Sequence, residues 1–346
     1  MYEKLLDLNN LHKAFTNCKK AVNWKSSVQT YEASELYNIN QLRKALKEHK
    51  YTQRPFYEFD INERGKKRHI KSLHISDRVL QRALCDYVLT PAIKPYLIYD
   101  NGASVQGKGI DFSWRRIKTH LQKYYRQYGC NGYVLIIDFS KYFDNIRHDE
   151  LCQMIGEKIA DADVMELFNY LISTFNTKRT TGKGVGIGSQ ISQIAGILYP
   201  TEIDNFCKIV KRCRYYGRYM DDTYIIHNSK AFLIDLLKDI RTICARLGIV
   251  INEKKTQIIK LSDGFTFLKM RYLVTKAGKI LVIPCKKTLT RERRKLRKLK
   301  QKLNQNKITL AEIKEQYKSW RGNIAKYNSY KSVRAMDALY KSLFEG

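Results

Sequence analysis

The sequence predicts an α+β fold in which an antiparallel sheet is backed by helices, and two segments in the middle of the chain carry this prediction. Tyr133–Ile137 is a continuous apolar run, which is typical of a strand buried on both faces. Arg218–Ile226 has the pattern of a strand, a two-residue turn and a second strand, and so short a connection joins antiparallel neighbours. Segments with helical spacing precede and follow these strands along the chain.

The elements before the central strand are expected to be mostly helical. Apolar residues recur at helical spacing over Leu36–Leu46, and the pattern breaks at Arg54-Pro55. Ser76 precedes an apolar-periodic stretch and is the expected N-cap of a helix. The predicted elements of this part are helices within 1–60, a basic hairpin around 63–70, a helix at 76–84 and a helix at about 111–128 that is rich in Lys, Arg and Tyr.

The elements after the central strand alternate between helices and strands. Gly248 is a good C′ residue for the helix before it, because glycine adopts the left-handed conformation without steric cost. Helices are predicted at about 148–160, 163–175, 190–206 and 229–247, and strands at about 256–260, 265–274 and 279–283. From Pro284 onward the composition turns strongly basic and helical.

Charge is the most unusual property of the composition. The 346 residues include 64 Lys plus Arg against 33 Asp plus Glu, a net charge of +31, which indicates a polyanionic partner such as nucleic acid. Residues 286–302 hold ten of these cations and one Glu, with leucines at helical spacing. This pattern predicts an amphipathic helix that faces phosphates, and its candidate contact residues are Arg291, Arg294, Lys295 and Lys298.

Several classes of protein are excluded by composition. The N-terminal residues contain no apolar stretch of the kind that a secretory signal needs, and no apolar run approaches the ~20 residues of a membrane span. The eight cysteines are scattered without a CxxC pair, so a zinc ribbon or a disulfide framework is not expected. We therefore expect reduced thiols and a cytoplasmic protein without membrane contact.

Three aspartates are the candidate catalytic residues. Asp138 ends the apolar run, and Asp221 and Asp222 lie at the tip of the predicted hairpin. Two-metal phosphoryl transfer needs about three anionic groups to hold a pair of divalent ions ~4 Å apart. A single strand-end aspartate, or an Asp-Asp turn alone, is more often structural. Together in so basic a chain, the three carboxylates favour a metal-dependent reaction on nucleic acid.

Two other functions compete with this interpretation. Gly102–Gly109 has the GxxxxGK spacing of a P-loop, but Gly109 stands where the Mg²⁺-binding Ser or Thr would be. A P-loop NTPase would also leave the Asp221-Asp222 hairpin without a role. A non-catalytic RNA-binding protein explains the charge equally well, because counterion release alone gives affinity. An RNA-binding protein would have no use for the three carboxylates, because negative charge in a basic groove repels the nucleic acid.

The order of several sequence blocks resembles that of bacterial and phage reverse transcriptases, from about residue 50 onward. Tyr219-Met220-Asp221-Asp222 is similar to the YxDD signature of that family, and Ile137–Ile146 resembles its first catalytic block. Further similar blocks are Gly65–Arg68 with Asp77–Gln81 for the fingers, Leu247–Thr256 after the catalytic hairpin, Phe267–Lys269 for the primer grip and Ser319–Asn323 for the thumb.

The resemblance implies a right-hand polymerase with fingers, palm and thumb that carries out template-directed DNA synthesis. It implies that Asp138, Asp221 and Asp222 bind two Mg²⁺, with Mn²⁺ as a substitute, and that the Phe139 carbonyl is an additional ligand. The implied domains are an N-terminal helical extension at 1–60, fingers at 61–132, a palm at 133–283 with a fingers return at about 178–200, and a helical basic thumb at 284–346.

The resemblance also assigns the nucleotide pocket. Lys66 and Arg68 would contact the triphosphate. Phe143 would pack under the incoming sugar and exclude a 2′-hydroxyl, so that dNTPs are preferred. Lys255 would donate a proton to the departing pyrophosphate. Trp320, in the thumb-like block, joins the basic helix as a candidate nucleic-acid contact.

One block departs from the common family pattern. Many relatives carry Pro-Gln-Gly followed shortly by Ser-Pro, whereas this chain has Ile187 in place of Gln and Ser192-Gln193 in place of Ser-Pro. The pattern resembles reverse transcriptases of diversity-generating retroelements, which copy RNA with errors at adenines. Because an apolar side chain discriminates weakly, Ile187 suggests low fidelity, with Gln193 beside it in the pocket.

The role of such an enzyme stays open between two subclasses. Defence-associated bacterial reverse transcriptases share the same core and are the alternative to the diversity-generating type. The expected partners are an RNA template or a structured non-coding RNA, a DNA or RNA primer, dNTPs and an accessory protein. An RNA-directed RNA polymerase would share the palm, but Tyr219–Asp222 and Phe143 argue against it.

Overall fold

A computed structural model describes residues 1–63, 65–177 and 180–345, without the side chains of Glu63 and Lys66. Four helices form the N-terminal part of the chain: α1 (Glu3–Leu6), α2 (Leu8–Lys19), α3 (Ser26–Ala33) and α4 (Glu35–Lys47). Tyr57–Glu63 and Lys66–Ser72 form the antiparallel hairpin β1–β2, as the basic segment predicted. No helix in these described ranges combines the length and apolar character that crossing a bilayer requires.

Helices make up most of the chain between the hairpin and the rest of the central sheet. They are α5 (Ile75–Leu84), α6 (Thr90–Ile93), α7 (Ile110–Tyr128), and, after the central strand β3 (Tyr133–Ile137), α8 (Tyr142–Asn145), α9 (His148–Gly156), α10 (Ala162–Ser173), α11 (Gln190–Leu198) and α12 (Thr201–Asn205). A single π-helical turn, Cys85–Leu89, joins α5 to α6. The predicted helix at 190–206 is divided at Pro200, whose ring cannot continue the hydrogen-bond ladder.

The central sheet has four antiparallel strands in the order β4–β5–β3–β6. Its other members are β4 (Tyr215–Tyr219), β5 (Asp222–His227) and β6 (Gln257–Lys260), with helix α13 (Lys230–Leu247) between β5 and β6. Strand β3 lies inside the sheet, which explains why its sequence is apolar throughout. Gly248 ends α13 with φ +70°, as predicted.

A second sheet and three helices complete the chain. The sheet is formed by β7 (Phe265–Phe267), β8 (Met270–Val274) and β9 (Ile280–Pro284), and the helices are α14 (Lys286–Asn304), α15 (Leu310–Ala325) and α16 (Tyr330–Phe344). The helices have a separate core that includes Leu296, Ile313 and Met336. The main core joins the N-terminal helices to one face of the central sheet, and α7 covers the other face.

Two local predictions are wrong. The N-cap of α5 is His74 rather than Ser76, because the His74 ring nitrogen accepts a hydrogen bond from the Ser76 backbone N–H at 3.3 Å. The single strand expected over 265–274 is instead a hairpin. Leu268 and Lys269 both have positive φ, at +46° and +68°, and reverse the chain as a two-residue turn. Neither residue is a usual turn former, so the sequence pattern missed the reversal.

Candidate active site

The strand register brings the three candidate aspartates to one edge of the central sheet. Ile137 on β3 pairs with Thr223 on β5, so the next positions along this antiparallel pair are Asp138 and Asp222. On the other side of β5, Tyr219 pairs with Asp222, and Met220 and Asp221 form the turn between them. The prediction that residues 138 and 221–222 meet in the fold is therefore confirmed at the level of the backbone.

The turn residues differ from those that hairpins usually prefer. Met220 has φ +55°, a left-handed conformation that is costly for a residue with a long side chain. The conformation is held by Arg218, whose Nη1 donates to the Met220 carbonyl at 3.1 Å. Arg218 is itself buried and paired with Asp204 through three hydrogen bonds of 2.6–3.0 Å. No local pattern indicates this support, because Asp204 is 14 residues away from Arg218 and lies on a helix.

Asp138 is buried and already carries a cationic partner. Lys255 Nζ donates to both carboxylate oxygens, at 2.7 and 2.5 Å, and Asn252 Nδ2 donates to Oδ1 at 2.9 Å. The backbone N–H of Asn252 also binds the Asp138 carbonyl at 2.8 Å. Lys255 was expected at the site from the sequence, whereas Asn252 was not, although it precedes Lys255 by only three residues. The pair fixes the orientation of the carboxylate.

The charges of Asp138 and Lys255 both act on the carboxyl group of Asp221. Burial raises the pKa of its carboxyl, and the nearby Asp138 charge raises it further. A backbone hydrogen bond and the positive charges of Lys255 and Arg68 act in the opposite direction. Arg68, which is exposed on β2, therefore contributes positive charge at the carboxylate edge. Its contact with a triphosphate stays a prediction. The side chain of Lys66 lies outside the described residues.

The donor set is suited to hard divalent cations. Carboxylate and carbonyl oxygens are the ligands that Mg²⁺ prefers, and the bond from Lys255 shows that Asp138 accepts a positive charge in this environment. Among the described residues, only His49, Asp163 and Glu166 have potential ligand atoms that all lie within 4.8 Å of one another. The three aspartates do not form so compact a cluster.

Phe139 and Phe143 lie directly after the first carboxylate. The Phe139 ring is buried against Tyr142, and the residue forms an antiparallel bridge to Ile251. The Phe143 ring is half-buried beside helix α11. A Cβ at Gly196 would lie 3.0 Å from the Phe143 ring and 3.2 Å from Met220 Sδ, so this glycine allows α11, the ring and the catalytic turn to approach closely.

The loop before α11 connects the β1–β2 hairpin to the site. The Ile187 carbonyl accepts a hydrogen bond from the Lys71 N–H at 3.1 Å, and its half-buried side chain lies beside Ile70 on β2. Gln193 is exposed one turn into α11, and its Oε1 accepts a hydrogen bond from Ser104 Oγ at 3.4 Å. The structure therefore places Ile187 next to β2, whereas Gln193 lies beside Ser104 and lines a cavity together with Arg78 and Gln190.

The predicted basic helix is confirmed as α14. Arg291, Arg294 and Lys298 are exposed and Lys295 is half-buried, whereas Leu296 and Leu299 face the core. The Trp320 ring stacks on Tyr317 at 5.8 Å and packs against this core, so only part of its surface is open to a partner. The single acid of the basic stretch, Glu292, is buried with its Oε1 lacking a hydrogen bond among the described residues.

The P-loop interpretation is wrong. Gly102–Gly109 is preceded by a short 3₁₀ helix, Lys94–Tyr96, whereas a P-loop requires a strand of a parallel sheet before it. The Lys108 ammonium donates to the Tyr99 carbonyl at 2.5 Å and lies over the Tyr99 ring. It is therefore held by its own loop. Strand β3, the proposed partner strand, is antiparallel to both of its neighbours.

An antiparallel sheet with strand-end carboxylates, backed by helices and followed by a helical C-terminal unit, defines a polymerase fold of the right-hand class. Residues 21–273 match the family described as reverse transcriptase (RNA-dependent DNA polymerase). The chain belongs to this family. No curated protein matches the chain.

A solved telomerase structure shares the fold. Telomerase from Candida albicans, in complex with a fragment of telomeric RNA, aligns with a TM-score of 0.51 and 12% identity over 74% of this chain and 50% of that one. Apo telomerase from Candida tropicalis aligns with a TM-score of 0.47 and 16% identity, over 70% and 53% of the two chains. The chain thus spans about half the length of these structures. The alignment with a TM-score of 0.51 concerns architecture alone.

Proposed function

We propose that this protein adds dNTPs to a primer 3′-hydroxyl on an RNA template by two-metal phosphoryl transfer. The observation that carries the proposal is the pairing of β3 with β5, which puts Asp138 beside Asp222 and within the field of Asp221. A purely RNA-binding protein has no use for buried negative charge at this edge, because it would repel phosphate.

Two Mg²⁺ ions would be held by Asp138, Asp221 and Asp222, with the Phe139 carbonyl as a further ligand and Mn²⁺ as a substitute. Bound there, such ions would increase the nucleophilicity of the primer hydroxyl and neutralise charge on the leaving pyrophosphate. The bond from Asn252 holds the Asp138 carboxylate in one orientation, which favours a defined ligand geometry. Lys255 carries the proton that we assign to the pyrophosphate, on its Nζ.

The remaining pocket residues would orient the nucleotide. Arg68 supplies positive charge for the triphosphate, and Lys66 is assigned the same role from the sequence. The half-buried Phe143 ring, pressed against Gly196, forms a rigid surface under the sugar that excludes a 2′-hydroxyl. Ile187 and Gln193 border the same region from the α11 side, where an apolar Ile187 would give weak discrimination among bases.

Template and primer would be held by the C-terminal helical unit. Arg291, Arg294, Lys295 and Lys298 lie on one helix, and their spacing suits a run of phosphates. The part of the Trp320 ring that remains open would add a stacking surface. We keep the domain limits of fingers at 61–132, palm at 133–283 and thumb at 284–346 as part of the proposal.

The subclass is proposed from the sequence alone. The Ile187 block favours an error-prone enzyme of a diversity-generating retroelement, and a defence-associated reverse transcriptase is the alternative. Either would work with a structured RNA and an accessory protein. The RNA that co-purifies with the protein would distinguish them.

Primer extension tests the proposal. Purified protein is given a poly(rA) template with an oligo(dT) primer, Mg²⁺ or Mn²⁺, and either dTTP or UTP. We expect extension with dTTP and little with UTP. The variant Asp221→Asn should lose activity by a factor of roughly 10³ or more, since removal of a metal ligand costs several kcal/mol of transition-state stabilisation. The matched control Asp235→Asn removes an exposed carboxylate and should retain full activity.

Two results would contradict the proposal. Extension by the Asp221→Asn variant at the wild-type rate would remove the carboxylates from the mechanism. Tight RNA binding by the wild-type protein without extension under any metal or nucleotide condition would favour the non-catalytic RNA-binding alternative.

A further inference from the structure

A basic groove lies on the face of the central sheet that α7 covers. It consists of two adjoining cavities of about 570 and 280 Å³ that share Gln127, Arg214 and Tyr215. One wall is helix α7, and the other is the segment 208–214 that leads into β4. None of the residues assigned above to catalysis, nucleotide binding or template binding lines either cavity.

The groove is strongly positive. Its larger cavity is lined by five cationic side chains and one carboxylate, Asp100; the cations are Arg116, Lys123, Arg126, Lys208 and Arg214. Asp100 is already neutralised, because Arg116 and Lys208 donate to its two oxygens at 2.6 and 2.7 Å. Within the described ranges, Lys123, Arg126 and Arg214 form no ion pair with a carboxylate.

The smaller cavity extends the same charge. Arg212, exposed with φ +52°, lies with Arg214 along its rim. A compact protein does not gain stability from concentrating like charges in a concave surface, since their mutual repulsion opposes folding. The arrangement therefore indicates a polyanionic ligand, whose phosphates would offset the repulsion.

Rigid polar groups line the bottom of the groove. His120 bonds to Tyr224 Oη at 3.0 Å and to Arg116 at 3.1 Å, which links the sheet to the cationic wall. Burial lowers the pKa of His120 to about 4, so its ring is neutral at physiological pH and adds no repulsion. Arg116 also stacks over the Tyr99 ring at 5.0 Å. Arg116 is thus held in place before any ligand binds, which reduces the entropy lost on binding.

Exposed aromatic rings flank the cationic wall. Tyr99 is 65% exposed and Tyr128 is 39% exposed, one near each cavity. Alternation of cations with partly exposed rings is a pattern by which proteins bind single-stranded nucleic acid without sequence preference. An acidic protein segment would use the cations but would have little use for the rings.

The groove is separate from the catalytic edge. Tyr215, which lines both cavities of the groove, pairs with Ile226. This pair is at one end of the β4–β5 hairpin, and Tyr219 and Asp222 are at the other end. Four residues of strand correspond to ~14 Å. A nucleic acid in the groove is therefore not bound by the same contacts as a primer terminus at the three aspartates.

We propose that this groove is a second nucleic-acid site that binds the phosphates of a single-stranded segment of RNA, apart from the primer–template contacts. The inference extends the proposed function by a partner site and relies on it only for the view that RNA is the polyanion. The site would anchor a long RNA whose other end reaches the catalytic edge.

The test compares two triple variants of the full-length protein. The groove variant is Lys123→Ala, Arg126→Ala and Arg214→Ala. The control variant, Lys4→Ala, Lys13→Ala and Lys47→Ala, removes the same charge from exposed positions on the N-terminal helices. Anisotropy of a fluorescein-labelled 40-nucleotide RNA of mixed sequence is measured from 50 to 300 mM KCl, and extension of oligo(dT) on a short poly(rA) template is measured at saturating substrate.

We expect the groove variant to bind the RNA at least tenfold more weakly than the control in 100 mM KCl. The slope of log K against log[KCl] should fall by about 2, since each lost phosphate contact removes roughly 0.7. Extension on the short template should stay within about twofold of wild type. Circular dichroism should be the same for both variants.

Three outcomes would overturn the inference. Equal affinity and slope in the two variants would show that the groove binds no RNA. Loss of extension in proportion to lost affinity would place the groove within the primer–template site. In a parallel anisotropy titration with labelled polyglutamate, weakened polyglutamate binding together with unchanged RNA binding would assign the groove to an acidic protein. Absence of extension in the wild-type protein would instead refute the proposed polymerase function and leave the anisotropy comparison valid.

Discussion

The buried ion pair under the catalytic turn gives the sharpest stability prediction. Arg218 is 1% exposed and Asp204 is fully buried, and three hydrogen bonds join the guanidinium to the carboxylate. The variant Asp204→Asn keeps an acceptor oxygen but leaves the guanidinium charge uncompensated in the core. Removing one partner of such a pair typically costs 3–5 kcal/mol, and we expect about 3 because the amide can still accept from Arg218.

Two further variants separate charge from hydrogen bonding. Tyr216→Phe removes only the hydroxyl group that donates to the Asp204 carboxylate at 2.5 Å, so the free energy of unfolding should fall by about 1.5 kcal/mol. The double replacement Asp204→Leu with Arg218→Met removes both charges and should recover much of the stability. It should still lower DNA synthesis, because the donor that holds the Met220 carbonyl is gone.

Urea unfolding followed by circular dichroism measures these differences, as the change in midpoint multiplied by the slope of the transition. Exposed Asp235→Asn is the control and should leave the midpoint unchanged. The reasoning would be refuted if Asp204→Asn lowered the free energy of unfolding by less than about 1 kcal/mol, or by no more than Tyr216→Phe does. Either result would mean that another group compensates the buried charge of Arg218.

Three other changes have defined expected outcomes. Glu292→Gln should raise the urea midpoint at pH 7, because burial raises the pKa of this carboxyl and its ionisation therefore opposes folding. The stability difference between variant and wild type should shrink as the pH falls through the raised pKa, and it should vanish below about pH 4.5. Gly196→Ala should reduce primer extension at least tenfold without unfolding the protein, because the new methyl displaces the Phe143 ring and Met220. Ile187→Gln should lower the error frequency in sequenced products, since a polar group that must be paired rejects mismatches more strongly.

Each of these has a contradicting result. A Glu292→Gln variant less stable than wild type at pH 7 would mean that the carboxylate has a stabilising partner. Gly156→Ala, where the added Cβ meets only a methionine methyl at 3.5 Å, is the control for Gly196→Ala, and equal activity of the two variants would refute the close contact. Unchanged errors in the Ile187→Gln products would dispose of the low-fidelity hypothesis.

The sequence predicted the elements whose signal is local. The apolar run of β3 and the leucine spacing of α14 report burial directly, because a strand covered on both faces and a helix covered on one have different periodicities. The end of α13 at Gly248 was predictable for the same reason, since one residue supplies the required backbone conformation. The carboxylates were found because they follow such elements immediately, at 138 and 221–222.

Tertiary structure decided what depends on distant partners. The positive φ of Met220 is maintained by Arg218 and Asp204, and the β7–β8 turn forms at two residues without turn preference. The groove of Arg214 and α7 joins segments about 90 residues apart, and no periodicity connects them. Local sequence encodes the propensity of each segment, whereas charge pairing, close approach at Gly196 and the shape of a cavity arise only when the segments pack together.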